Sequence, residues 1–191
     1  PAILSHRVVT LHPKIHGGLL ALDTKEHRHE LEKYGIPWID MVCVDLYPLE
    51  EEIKNRRDMR GVTTMTIDPA DAKDFDDALS IKKISDGLYE IGVHIADVSH
   101  FVRPGTELDK EARKRALSVY LVDRTYPMLP EILSNDLCSL NPNENKLVFS
   151  VIFTLSPKGE ILERVIGKGV IRSDKRFTYE QAQEIMDQGK G

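Results

Sequence analysis

Residues 62–98 read VTTMTIDPADAKDFDDALSIKKISDGLYEIGVHIADV, and they decide the fold class. VTTMTI (62–67) is β-branched and predicts a strand that runs into a cluster of aspartates. ALSIKKI and LYEIGVHIADV flank Ser85-Asp86-Gly87, which predicts two strands joined by a hairpin turn. Within IDPADAKDFDDA (67–78), five of twelve residues are aspartates, Asp68, Asp71, Asp74, Asp76 and Asp77, with Lys73 as the only counter-charge. Like charges at such spacing raise one another's pKa, so the segment needs an explanation.

Working outward, Glu107 to Val119 has helical composition, with Leu108, Ala112, Arg115 and Val119 at helical spacing and Thr106 as N-cap. SVYLV (118–122) resumes as extended chain, and Pro127 and Pro130 lead into a short helix near PEILSNDLCSL. KLVFSVIFTL and EILERVIGKGVI predict a second hairpin around Ser156–Gly159, and TYEQAQEIMDQ closes the segment as a helix. The pattern is α+β with antiparallel strands. Residues 1–53 differ: a His- and Gly-bearing loop, a helix at EHRHELEKY and a buried strand at IDMVCVDLYPL suggest a fragment of an α/β unit.

The chain of 191 residues carries a net charge of −5, with 41% hydrophobic and 30% charged residues, as in globular proteins. That balance argues against holding nucleic acid by bulk positive charge. Local basic clusters stand at 54–60, 113–115 and 172–176, each either a solvated face or a phosphate contact. No apolar run approaches the ~18 residues of a membrane span, and the first ten residues do not form a signal peptide, so the expected location is cytoplasmic. Cys43 and Cys138 form no CxxC pair and are read as buried thiols.

Three readings of the aspartates compete. A calcium loop of EF-hand type requires acids at alternate positions and then Gly; started at Asp68 it fails at Ala70, at Asp71 it fails at Lys73, and at Asp74 it meets Ala78 and Leu79. A solvated acidic turn and a carboxylate bed for one or two Mg²⁺ ions both remain open on composition. In the second, a strand delivers Asp68 and a turn returns Asp74, Asp76 and Asp77.

TIDPADAKDFDDAL, then GVHIADVSHFVRPGTELDKEA, then SVYLVDRTYPMLPEILSNDLCSLNP, resemble the catalytic RNB domain of the ribonuclease II and ribonuclease R family over about residues 54–191. The resemblance implies a hydrolytic exoribonuclease that digests single-stranded RNA from the 3′ end with Mg²⁺ and releases 5′-monophosphates. By position it implies that Asp68, Asp74, Asp76 and Asp77 are catalytic and metal-binding, that Asp71 serves the turn, and that Tyr120 stacks on a base. His94 and His100 are read as hydrogen-bonded structural histidines, with Asp97 ordering their loop. The family's later arginine motif, glutamate and second aromatic are not found before Gly191, so a metal bed without the complete catalytic machine is expected.

RVVTLHPKIHGGLLA and IDMVCVDLYPLEEEI resemble a different family, the IMP cyclohydrolase part of the bifunctional purine-biosynthesis enzyme, with a methylglyoxal-synthase-like α/β fold. That resemblance implies nucleotide binding by His12, Lys14, His16, Gly17 and Tyr47. Val9 stands where that family commonly has a lysine, and Asp45 replaces an asparagine. The expected division is therefore 1–53 and 54–191, with a seam near EEIKNRRD that reads as a fused or misassembled frame. The alternatives are a purine-biosynthesis fragment and a metal- or RNA-binding fragment without turnover.

Overall fold

The computed structural model of the chain describes residues 49–122 and 125–189. The expectations for His12, Lys14, His16, Gly17, Tyr47 and Cys43, and the helix and strand of the first segment, lie outside the described residues. The described chain divides into two compact units, one of residues 49–98 and 133–189, the other Ser99–Ile132.

In the larger unit, helix α1 (Leu49–Lys54) leads to β1 (Arg57–Asp58), β2 (Thr63–Asp68), β3 (Asp77–Ser85) and β4 (Leu88–Ala96). After a π-helical turn at Leu133–Leu137 come β7 (Asn145–Leu155), β8 (Ile161–Arg172), β9 (Lys175–Thr178) and helix α4 (Tyr179–Gln188). Both expected hairpins are present, β3 with β4 and β7 with β8. Their turns use Gly87 and Gly159 at φ 76° and 79°, a left-handed backbone that glycine adopts without a Cβ penalty. A Cβ on Gly87 would also sit 2.5 Å from Pro157 Cγ.

The expectation of antiparallel strands needs correction, because the sheet is mixed. Its order is β1-β8-β7-β4-β3-β2-β9, with β1 parallel to β8 and β2 parallel to β9. The chain passes from β8 to β9 through Ser173 and Asp174 without reversing, so β9 keeps the direction of β8, which is also that of β2. A flat sheet would separate β8 from β9 by roughly 24 Å at about 4.8 Å per strand. Three residue steps reach at most about 11 Å, so the sheet curls until its edges approach. Asp174 ties the far edge: its carboxylate accepts from Thr64 N–H at 2.9 Å and its N–H donates to Thr64 O at 2.8 Å.

Curling gives the sheet an inner face that is unusually polar. Thr64, Thr66, Ser80, His94 and Ser150 are buried beside Ala78, Val148, Ile152 and Ile171. His94 is fully buried, with Nδ1 2.7 Å from Ser150 Oγ and Nε2 2.8 Å from Ser80 Oγ. Gly92 makes room for it, since a Cβ there would lie 2.5 Å from His94 Nε2. Leu79, Ile81, Ile95, Phe149 and Ile166 remain exposed. In register across the sheet, Leu79, Val93, Val151 and Ile166 form one row.

The smaller unit holds helix α3 (Glu107–Arg115) and a short ladder of β5 (Val119–Tyr120) with β6 (Thr125–Tyr126). Helix α2 (Val98–Phe101) bridges the sequence between units. Thr106 caps α3 as expected, accepting from Asp109 N–H at 3.2 Å. The helix ends at Arg115 rather than Val119, because Ala116 takes a left-handed backbone (φ 67°) that cannot continue α-helical geometry. The short helix expected near PEILSNDLCSL forms as the π-helical turn, closed by Cys138 N–H donating to Leu133 O at 2.8 Å.

Candidate active site

Strand β2 ends at Asp68 and β3 begins at Asp77, so the hairpin-like return between them carries the acidic segment. Pro69 and Ala70-Asp71 make the turn, which is the role expected for Asp71. Residues 72–76 have no regular secondary structure and are held by outside anchors. Phe75 N–H donates to Ser139 Oγ at 3.0 Å, Leu140 N–H donates to Phe75 O at 2.8 Å, and Ala96 N–H donates to Asp76 O at 2.9 Å.

The four expected aspartates influence one another electrostatically. Asp68 is 8% exposed, and its pKa is raised chiefly by burial, with the charges of Asp77 and Asp74 adding to the rise. The Thr66 hydroxyl and the Arg176 guanidinium pull the other way, although Thr66 makes no well-aligned hydrogen bond. Asp68 Oδ2 is buried without a hydrogen-bond partner. Asp76 is exposed at the surface, yet crowding by protein first, and then by Asp74, Asp77 and Asp68, raises its pKa as well. Among the described residues no three His, Cys, Asp or Glu side chains converge into a ready-made ligand cage. The acidic segment offers carboxylate oxygens, two of them on aspartates whose pKa values are raised, and oxygens of that kind suit a hard cation.

The histidines behave as structural groups. Burial, and secondarily the charge of Arg57, lowers His94 to about 4, so it is neutral and can donate to one serine while accepting from the other. His100 is buried, edge-on to Phe101 at 5.0 Å. Asp97 forms a buried ion pair with Arg56 at 2.7 Å and faces Lys168 at 3.6 Å. Cys138 is a buried thiol pushed up to about 12 by burial. Tyr120 lies on β5 in the smaller unit and is 70% exposed.

The basic clusters resolve largely into ion pairs within the chain, two of them at i,i+4 spacing on α3. Arg57 pairs with Glu90, Arg60 with Asp58, Arg113 with Asp109 and Arg115 with Glu111. Arg176 does neither of the two things expected of its cluster. Its Nη2 donates to the carbonyls of Pro69 at 2.6 Å and Ala70 at 2.9 Å, and the guanidinium lies 4.9 Å from the Phe75 ring centroid. Arg176 and Ser139 were missed because they act on backbone far away in sequence.

The family model described as RNB domain matches residues 56–191. DIS3-like exonuclease 2 of Xenopus tropicalis is 51% identical over 138 residues, covering 72% of this chain and 16% of that protein. The chain thus spans about a sixth of the length of this relative. Among solved structures, Mycoplasma genitalium RNase R in complex with ribose methylated single-stranded RNA aligns over 85% of this chain and 24% of its own, with TM-score 0.68 and 31% identity. Yeast Ssd1, a pseudonuclease, aligns over 72% of this chain and 17% of its own, with TM-score 0.66 and 25% identity. Among the described residues no helix is long and apolar enough to cross a membrane. With the mixed sheet and a family model covering most of its length in agreement, the chain belongs to the RNB domain family.

Proposed function

We propose that residues 54–191 are the metal-bearing part of a hydrolytic 3′-to-5′ exoribonuclease that acts on single-stranded RNA and releases 5′-nucleoside monophosphates. The observation that carries the reading is electrostatic. Asp68 and Asp76 both have raised pKa values with Asp74 and Asp77 among the causes, and Asp68 presents a buried oxygen with no partner. Carboxylates in that state are short of positive charge, and an oxygen-preferring divalent cation would supply it.

Asp68, Asp74, Asp76 and Asp77 would hold Mg²⁺. When bound, the ion would lower the pKa of a coordinated water and counter the charge of a phosphodiester oxygen. The chain's own part is to crowd the carboxylates together; burial and like charge disfavour their ionised form, and the ion would favour it. Tyr120 is exposed enough to stack on a base, a grip that works for every base because each has a π face. The complex of RNase R with single-stranded RNA supports that partner class for a chain this similar. This reading carries with it a cytoplasmic location and a seam near residue 53. The cyclohydrolase-like reading of 1–53, with His12, Lys14, His16, Gly17 and Tyr47 at a nucleotide, rests on sequence likeness alone.

The test incubates the chain with 3′-labelled single-stranded RNA in Mg²⁺ or in EDTA. Mononucleotide release that needs Mg²⁺ and disappears in Asp77→Asn is the expected result. RNA binding without release would instead assign a non-catalytic role of the kind that the Ssd1 pseudonuclease shows to exist in this fold.

A further inference from the structure

We propose that Arg176 and Ser139 are positioning residues that clamp Phe75 and thereby fix the spacing of the aspartates for a divalent cation. The inference deepens the functional reading above and rests on it. Residues 72–76 have no ladder or helix to define them, so their geometry comes from the groups that hold their backbone. Phe75 lies between Asp74 and Asp76 and is held on three sides. Its N–H donates to Ser139 Oγ at 3.0 Å, its carbonyl accepts from Leu140 N–H at 2.8 Å, and the Arg176 guanidinium covers its ring. Ser139 is itself fully buried and donates onward to Asn141 Oδ1 at 3.2 Å, which fixes its hydroxyl.

Arg176 adds a second hold at the other end of the segment. One nitrogen bridges the carbonyls of Pro69 and Ala70, the two residues that follow Asp68, while the same planar group lies over Phe75. A guanidinium suits both tasks because its flat face can lie over the ring while its edge donors reach the carbonyls; an ammonium, a point charge on a flexible stem, reproduces that only in part. Every anchored atom is thus within two residues of an aspartate.

The charge of Arg176 makes the proposal sharp. A fixed cation beside a cation site opposes the ion, so removing it would tighten metal binding if its role were purely electrostatic. Loss of positioning has the opposite sign. Outer partners that orient metal ligands typically account for about 10–100-fold in affinity.

Mn²⁺ is titrated into the full chain by electron paramagnetic resonance, with secondary structure of each variant checked by circular dichroism. Arg176→Met should weaken Mn²⁺ about 10-fold or more, Arg176→Lys should recover part of the loss, and Ser139→Ala should weaken binding in the same direction. Asp174→Ala serves as the control, because it loosens the same β2–β9 pair at Thr64, away from the loop. Should Arg176→Met not fold, Arg176→Lys and Ser139→Ala carry the test. Unchanged or tighter binding in folded Arg176 variants overturns the proposal, and so does equal weakening by Asp174→Ala. If Mn²⁺ binding is indifferent to Asp77→Asn, the metal reading itself fails and takes this inference with it; retained Asp77 dependence with indifferent Arg176 variants defeats the clamp alone.

Discussion

At the scale of single residues, the unusual feature is a fully buried histidine held between two serines. His94 sits between Ser80 and Ser150, and both ring nitrogens are engaged at 2.7–2.8 Å. Its folded pKa is depressed to about 4, against an unfolded value of 6.5. The unfolded chain therefore binds the extra proton first as pH falls. The stability that His94 contributes is fully present above pH 6.5 and is lost as pH drops through the interval down to about 4. The whole interval amounts to roughly 3 kcal/mol at about 1.4 kcal/mol per unit. Asp68 and Asp76, with raised pKa values, bias the same range in the opposite sense, so the measurement must be a difference. Urea unfolding at several pH values between 4 and 7 should show a shallower fall in stability on acidification for His94→Gln than for the unmodified chain. Parallel curves for the two proteins would show that His94 titrates normally. The histidine's structural role was legible from sequence because HIADVSH lacks metal-ligand spacing; its two serine partners were not, because each is fixed only by strand register.

At the scale of elements, the hairpins and helix caps follow from local chemistry. Helix α4 opens on a capping box: Thr178 Oγ1 accepts from Gln181 N–H at 3.2 Å, and Gln181 Oε1 accepts from Thr178 N–H at 2.9 Å. Thr178 also stands opposite Asp68 in the β2–β9 register, so the cap joins the helix to the acidic end of the sheet. Thr178→Ala should cost about 1 kcal/mol, with Thr178→Ser close to neutral. Urea midpoints at an unchanged denaturant slope would check this; a shift below a few tenths of a kcal/mol would mean that the strand pairing alone holds the helix start. The same contrast explains what sequence could and could not disclose. SDG and SPKG announce turns because glycine at positive φ is a local requirement, and Thr106 and Thr178 announce caps for a similar reason. Nothing local in RSDK tells that β8 continues into β9 across the opening of a curled sheet. The aspartates were visible as a charge anomaly, but Ser139 and Arg176 reach Phe75 across 64 and 101 residues, and no periodicity encodes such contacts.

At the scale of the larger unit, a curled sheet with a polar lining needs a firm closure where its strands end, and Arg56 provides one. Its guanidinium pairs with Asp97 just beyond β4 at 2.7 Å and with Glu52 on α1 at 2.7 Å, and Nη1 donates to Val148 O on β7 at 3.4 Å. The side chains of Arg56 and Asp97 are 1% and 2% exposed, so neither charge has water to fall back on. Lys168, 44% exposed and 3.6 Å from Asp97, is a weaker counter-charge. A buried pair of this kind contributes little relative to an apolar replacement of both members, but losing one member strands the other. Arg56→Met should therefore destabilise by about 3–5 kcal/mol, whereas Lys168→Met should cost about 1 kcal/mol or less, as exposed pairs do. Arg56→Met combined with Asp97→Leu should recover much of the loss, because no buried charge then lacks its partner. The cycle is read from urea unfolding of the four proteins. A double variant as unstable as the sum of its single variants would show that Arg56 acts through Glu52 and Val148 rather than through Asp97, and would place the closure on α1 and β7 alone.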